Sequence, residues 1–112
     1  MSELSFIARA CYVGALEDSD AFVIALADDA ENPQQTFELQ RAETGRTYTT
    51  VLTSGATFEG GIVSHQLTSE SLTLQYSADA AQVLGLSTIR VQLDLDPLVI
   101  DQIRSGFQVL FS

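Results

Sequence analysis

The residue best suited to general acid–base chemistry in this sequence is His65, the single histidine of the 112-residue chain. It lies between Ser64 and Gln66, and a catalytic triad would require a serine and a carboxylate around it. Serines and acids occur throughout the chain, so their presence does not select a triad, and the sequence contains no glycine-x-serine-x-glycine nucleophile elbow. We interpret His65 as a half-exposed strand residue or an interface residue. No catalytic residue is predicted.

Two other features could carry chemistry, but each has a simpler structural explanation. Asp94 and Asp96 are spaced for one face of a strand, where paired carboxylates could act in glycoside hydrolysis. Asp96, however, directly precedes Pro97 and suits a helix N-cap. Cys11 is the only cysteine, which excludes an internal disulfide and a thiolate-rich zinc site. It is expected to be a small buried residue.

The sequence predicts neither a metal site nor a cofactor site. Asp18, Asp20, Asp28 and Asp29 could ligate calcium, but their spacing does not follow the alternation of an EF-hand loop. The double glycine at 60–61 is followed by a predicted strand. A phosphate-binding loop would instead lead into a helix.

The formal net charge of −10 is the most unusual property of the chain. All five basic residues are arginines, and nucleic-acid binding depends on neutralisation of phosphates by lysine and arginine. A domain of this charge is therefore not expected to bind nucleic acid or an anionic membrane surface. The charge serves either solubility alone or recognition of a basic protein partner. In the second case, the predicted partner-binding residues lie in two acidic loops: Asp18, Asp20, Asp28, Asp29 and Glu31.

The elements that would position these residues are mostly strands. Alternating or β-branched apolar residues predict strands over 4–13, 21–27, 36–41, 46–53, 62–67, 72–77 and 88–95. The 21–27 segment is apolar on both faces and is predicted to be a central strand covered on both sides. Around the double glycine, the pattern fits either a tight hairpin between 57–59 and 62–67 or a bulge within one strand.

Two helices are predicted late in the chain. Ser77 and Gly85 suit the start and stop of a short helix over about 78–84. An amphipathic helix is predicted over about 97–110, with Ile103 and Phe107 in the core and Gly106 permitting close approach to a strand. The predicted fold is therefore α+β and predominantly β, with an antiparallel sheet of about six to eight strands.

The length and the hydrophobic content of the chain favour a single domain that comprises residues 1–112. The first residues contain an early acid and lack the basic and apolar regions of a signal peptide. No apolar run approaches the ~20 residues that span a bilayer. We therefore expect a cytoplasmic protein without a membrane partner, while its oligomeric state is not predicted.

The second half of the chain has a recognisable order of features. An aromatic residue and a double glycine precede a strand, a hairpin, a Leu-x-Leu strand, a short alanine-rich helix ending in Leu-Gly-Leu, a final strand and an amphipathic helix. This order resembles immunity protein family ten, one of the predicted immunity families of bacterial polymorphic toxin systems. The residues that carry the resemblance are Phe58, Gly60, Gly61, Ile62, Leu72, Leu74, Ala80, Ala81, Leu84, Gly85, Leu86, Ile89, Val91, Leu93, Asp94, Leu95 and the helix over 103–111.

The resemblance implies a non-enzymatic protein that binds and neutralises a cognate bacterial toxin by occlusion. Together with the negative charge, it leads us to expect a basic toxin. The region 28–54 matches the family pattern least, and partner choice would be expected there. Two alternatives remain open: an acidic interaction or regulatory module, including a mimic of nucleic-acid charge, and a small hydrolase.

Overall fold

A computed structural model describes residues 3–15, 21–42 and 47–111 of the chain. These residues form nine strands and two helices, which confirms the predicted α+β, predominantly β class. The helices are α1, Ala78–Leu84, and α2, Pro97–Leu110. The strands are β1 Glu3–Ala8, β2 Ala10–Ala15, β3 Ala21–Ala27, β4 Thr36–Ala42, β5 Thr49–Leu52, β6 Thr57–Glu59, β7 Ile62–Leu67, β8 Ser71–Tyr76 and β9 Thr88–Leu93.

The strands divide between two sheets, whereas a single sheet was expected. The four-stranded sheet has the order β1-β9-β8-β7, and the five-stranded sheet has the order β2-β3-β4-β5-β6. β1 and β9 run parallel, with Phe6 opposite Val91, and the other described pairs are antiparallel. Apolar alternation indicates which face of a strand is buried but not which strand lies beside it. The partition into two sheets therefore could not be obtained from the pattern.

The predicted first strand over 4–13 bends at Arg9 and contributes to both sheets. The Ala8 carbonyl accepts a hydrogen bond from the Asp94 N–H at 2.9 Å, next to the four-stranded sheet. The Arg9 N–H donates to the Ala27 carbonyl at 2.9 Å, in the five-stranded sheet. One continuous chain segment thus forms a corner between the two sheets, as occurs where strands pass from one sheet to another.

The double glycine forms the second corner, which is neither of the two expected arrangements. Gly60 and Gly61 have φ angles of 73° and 89°, in the region that favours glycine. β6 before them and β7 after them belong to different sheets and do not pair. A Cβ on Gly61 would lie 2.7 Å from the Cβ of Ala80, so the corner also requires glycine for its close approach to α1.

α2 packs its apolar face into the core between the sheets. Ile103 is fully buried and Phe107 is nearly so, which confirms their predicted placement. The predicted close approach at Gly106 is also present, because a Cβ there would lie 2.9 Å from the Ile24 side chain and 3.3 Å from that of Val13. The helix therefore contacts the inner face of β2 and β3.

Both helices begin and end as their sequences predict. The Asp96 carboxylate accepts a hydrogen bond from the Leu98 N–H at 2.9 Å, and Pro97 occupies the first turn of α2. The Ser77 hydroxyl accepts from the Ala80 N–H at 3.3 Å, and α1 stops at Gly85 with φ 79°. Neither helix, within the described residues, has the length and apolar composition needed to cross a membrane.

Candidate partner-binding face

The loop between β3 and β4 is shaped by its own carboxylates. Oδ1 of Asp28 accepts hydrogen bonds from the N–H groups of Gln34 and Gln35 at 2.9 and 3.2 Å. Oδ1 of Asp29 accepts from the N–H groups of Glu31 and Asn32 at 2.8 and 3.2 Å. Such local carboxylate-to-backbone bonds are the usual reason for aspartate in turns. We call residues 28–31 the acidic loop.

These bonds also favour the charged form of Asp29. The backbone N–H groups of Glu31 and Asn32 lower the pKa of the Asp29 carboxyl below its ordinary value, and the positive charge of Arg9 acts weakly in the same direction. Hydrogen bonding to the ionised form is one of the established causes of such a shift. Asp29 is exposed, so this ionised carboxylate faces solvent at neutral pH.

The structure brings three of the five predicted binding residues together and leaves the other two undescribed. Asp28, Asp29 and Glu31 lie in one loop. Asp18 and Asp20 lie outside the described residues. The described residues on either side of that segment, Ala15 and Ala21, are at the opposite end of the seven-residue β3 from Asp28.

A groove of ≈ 350 Å³ runs along the outer face of β3, beside the acidic loop. Ile24 and Leu26 point into the core, so Ala25 and Ala27, which alternate with them, face outward and are half-buried. We call this concavity the β3 groove. It is lined by Ala10, Cys11, Tyr12, Ala25, Leu26, Ala27, Asp29, Ala30, Pro33, Thr36 and Glu38.

The prediction that segment 21–27 is covered on both faces holds for the middle of β3 but not for its end next to the acidic loop: on the outer face Val23 is 1% exposed, whereas Ala25 and Ala27 are half-buried. β3 is indeed a central strand, between β2 and β4. Its inner side chains, Phe22, Ile24 and Leu26, are large, whereas Ala25 and Ala27 on the outer face are small. Because every residue of the segment is apolar, hydropathy alone did not reveal that the side chains on the outer face are smaller than those on the inner face.

Sequence reasoning also missed Tyr12 and Glu38, which flank the β3 groove on the neighbouring strands. Tyr12 is 49% exposed, and its hydroxyl donates to the Ala15 carbonyl at 2.7 Å, which fixes the ring along β2. Glu38 lies opposite Ala25 in the sheet register. The usable signal was the alternation of small and large residues along β3, which indicates a shallow channel on one face.

His65 lies in a second groove, of ≈ 600 Å³, between β7 and α2. Its exposed ring stacks on Phe111 with centroids 4.8 Å apart and meets Phe107 edge-on at 5.9 Å. The other lining residues, Leu67, Arg104 and Gln108, provide neither a nucleophilic hydroxyl nor a carboxylate. This arrangement supports a packing role for His65, and none of the described residues that line the groove completes a triad with it.

The remaining candidates for chemistry have structural partners. Arg9 forms a 3.6 Å ion pair with Asp94, and Asp96 caps α2. Cys11 is half-buried against the core, and burial raises the pKa of its thiol to about 11, so the thiolate is scarce at neutral pH. Across residues 3–15, 21–42 and 47–111, no three His, Cys, Asp or Glu side chains cluster closely enough to hold a metal ion.

Comparison with known proteins gives one match. A sequence model of the family described as Immunity protein 10 matches residues 7–101, from the end of β1 into the first turns of α2. No curated protein and no solved structure matches the chain significantly. The matched range covers most of the 112 residues, and it confirms the resemblance seen in the sequence. The chain belongs to the Immunity protein 10 family.

Proposed function

We propose that this protein is a non-enzymatic inhibitor that binds and neutralises a cognate bacterial toxin with a basic contact surface. Membership of an immunity protein family supports the role. The net charge of −10 supports the basic partner, because complementary charge promotes encounter and rejects wrong partners. On this proposal the protein acts in the cytoplasm and needs no cofactor.

One structural observation supports the location that we propose for the binding site. The acidic loop lies beside the β3 groove, on a sheet face whose small side chains leave room for a partner. Loops placed by a rigid scaffold commonly perform recognition. We therefore assign Asp28, Asp29 and Glu31 to the interface, and we extend the assignment to Asp18 and Asp20 on the basis of their sequence.

None of the ion pairs among the described residues involves a carboxylate of the acidic loop. Those pairs use other acids: Arg9 with Asp94, Arg90 with Glu3, and Arg104 with Asp101. Their side chains are largely exposed, and such pairs contribute little stability. The acidic loop thus keeps its negative charge for long-range attraction, which weakens as salt shortens the Debye length from ~10 Å at 0.1 M to ~3 Å at 1 M.

The test is the association rate with the cognate toxin, measured against ionic strength. The test variant carries Asp28→Asn, Asp29→Asn and Glu31→Gln. Asparagine retains the Oδ1 acceptor that holds the loop, so charge is removed with little change of shape. At low salt we expect association to slow by about ten-fold or more, and we expect the difference to shrink at high salt.

A matched control removes three acids elsewhere: Glu70→Gln, Asp79→Asn and Asp101→Asn, all exposed and outside this face. Adding Asp18→Asn and Asp20→Asn to the test variant determines whether the second loop contributes. Equal association rates for the wild type and the test variant at every ionic strength would show that the interface lies elsewhere. Equal slowing by test and control variants would indicate an effect of total charge alone.

A further inference from the structure

The β3 groove has an alanine floor that is long enough for the stem of one long side chain. Across the sheet, Ala25 lies between Tyr12 on β2 and Glu38 on β4. Ala27, on the same face, is about 6.6 Å further along the strand, because alternate residues share a face and each rises about 3.3 Å. Ala27 in turn lies between Ala10 on β2 and Thr36 on β4. The alanine floor is therefore two side chains long on β3 and extends onto β2 at Ala10, and it is bordered by Tyr12 and Glu38 beside Ala25 and by Thr36 beside Ala27.

One end of the β3 groove is bounded by the loop that follows β3. Asp29, Ala30 and Pro33 line it there. The hydrogen bonds at Asp29 Oδ1 hold this turn in place, so the groove is formed before any partner arrives. A preformed groove reduces the ordering cost of binding.

The electrostatics of the β3 groove favour a cation. Two carboxylates, Asp29 and Glu38, are among its lining residues, and none of the lining residues that the structure describes is basic. Arg9, whose positive charge reaches Asp29, is itself directed to Asp94 at 3.6 Å. The lining thus combines aliphatic carbon, an exposed phenol ring and negative charge.

We propose that the β3 groove receives an arginine side chain of the bound partner. This inference rests on the proposed function and specifies the chemistry of the same site. The methylene stem lies on Ala27, and the guanidinium lies over Ala25, where it contacts the Tyr12 ring and the Glu38 carboxylate. Asp29, beyond Ala27, adds negative charge at the loop end of the groove.

Arginine fits this lining better than lysine for three physical reasons. Its planar guanidinium is less strongly hydrated than an ammonium group, so partial burial costs less. It stacks on aromatic rings. It also carries five N–H donors in a planar fork, which can bond both oxygens of one carboxylate.

The first test needs no toxin. Acetyl-Gly-Arg-Gly-amide is titrated into the isotope-labelled protein, and the backbone amide shifts are followed by NMR. Weak binding is expected, near a Kd of ~1 mM, which corresponds to about −4 kcal/mol. The shifted amides should be those of Tyr12, Ala25, Ala27 and Glu38. The lysine peptide should bind several-fold more weakly, and the uncharged citrulline peptide should not bind.

Variants identify the contacts. Glu38→Gln should weaken binding of the arginine peptide by about three- to five-fold, the effect of one exposed ion pair. Tyr12→Leu, which keeps an apolar side chain, should weaken it by about two- to five-fold. Glu70→Gln makes the same charge change as Glu38→Gln in the hairpin of the other sheet, and it should leave the affinity unchanged.

Three results of the peptide titration would overturn the inference: no shift at the β3 groove, equal binding of the citrulline peptide, or equal binding of the lysine peptide. The toxin gives a separate readout. If Glu38→Gln and Tyr12→Leu bind the toxin as tightly as wild type, the β3 groove is not an arginine site in the complex, although the inhibitor function stands. If the arginine peptide binds but the protein does not inhibit the toxin, the proposed function fails and the site remains.

Discussion

The hydroxyl oxygens of Thr50 and Tyr76 lie 2.7 Å apart in a buried hydrogen bond that joins the two sheets. Thr50 is on β5 of the five-stranded sheet, and Tyr76 is on β8 of the four-stranded sheet. Thr50 is fully buried and Tyr76 is only 6% exposed. Because buried hydroxyls are costly without partners, each residue depends on the other.

The two hydroxyls should contribute to stability as a coupled pair, so that the losses of unfolding free energy in the two single variants add up to more than the loss in the double variant. We expect Tyr76→Phe and Thr50→Val each to lower the free energy of unfolding by about 1–3 kcal/mol, because each leaves a buried hydroxyl unsatisfied. The double variant should lose less than the sum. Urea denaturation of the four proteins measures the coupling. Strict additivity would contradict the structural importance of the bond.

The fold should lose stability at alkaline pH. Burial raises the pKa of Tyr76 above its ordinary value, against the opposing effect of its bond to Thr50, and burial raises the pKa of Cys11 to about 11. The folded state therefore retains protons that the unfolded chain releases near about pH 9–10. Stability from these groups is fully present below that range, and its loss begins there and continues until the pH passes the folded-state pKa, which is about 11 for Cys11. A urea midpoint that stays constant up to about pH 11 would contradict this expectation.

Gly106 should resist replacement by alanine although it lies within α2. Helix propensity alone favours alanine by up to about 1 kcal/mol. The added Cβ, however, would lie 2.9 Å from the fully buried Ile24, and overpacking of this kind costs about 1–3 kcal/mol. We expect net destabilisation in thermal or urea unfolding, partly reversed by Ile24→Val.

The neighbouring exposed Ser105→Ala serves as the control for this substitution. It should be neutral or slightly stabilising. If Gly106→Ala behaves in the same way, the helix does not approach β2 and β3 as closely as described.

The elements that depend on local chemistry were predicted well. Asp96-Pro97 and Ser77 identify helix starts through their caps, and both helices lie where they were placed. The apolar spacing in α2 placed Phe107 in the core, where it lies. These predictions succeeded for the same reason: helix caps and the apolar spacing of a helix depend only on residues that are close together in the chain.

Long-range features could not be predicted in the same way. The corner at Arg9 depends on β1 pairing with β9, whose residues lie more than eighty positions away in the chain. The β3 groove depends on Ala25 facing Tyr12 and Glu38 across the register. No local signal reports such pairings. Only the acidic loop, one part of the candidate site, was visible beforehand as a run of charge.

His65 should prove dispensable for activity. We expect His65→Ala to leave toxin neutralisation within a few-fold of wild type, because loss of a general base usually costs ~10²-fold or more. His65→Leu, which preserves apolar contact with Phe111, controls for lost packing. The purified protein should also hydrolyse no ester, phosphoester or glycoside. Hydrolysis that disappears in His65→Ala would favour an enzyme over an inhibitor.

The most direct measurement is a titration of the candidate cognate toxin domain with the purified protein. The toxin's activity is assayed while the purified protein is added, and complex formation is followed by size-exclusion chromatography. We expect activity to fall in proportion to the added protein and to be abolished at a fixed stoichiometry, with both chains eluting together. Full toxin activity at a large molar excess, with the two proteins eluting separately, would contradict the claim that this protein neutralises that toxin by binding it.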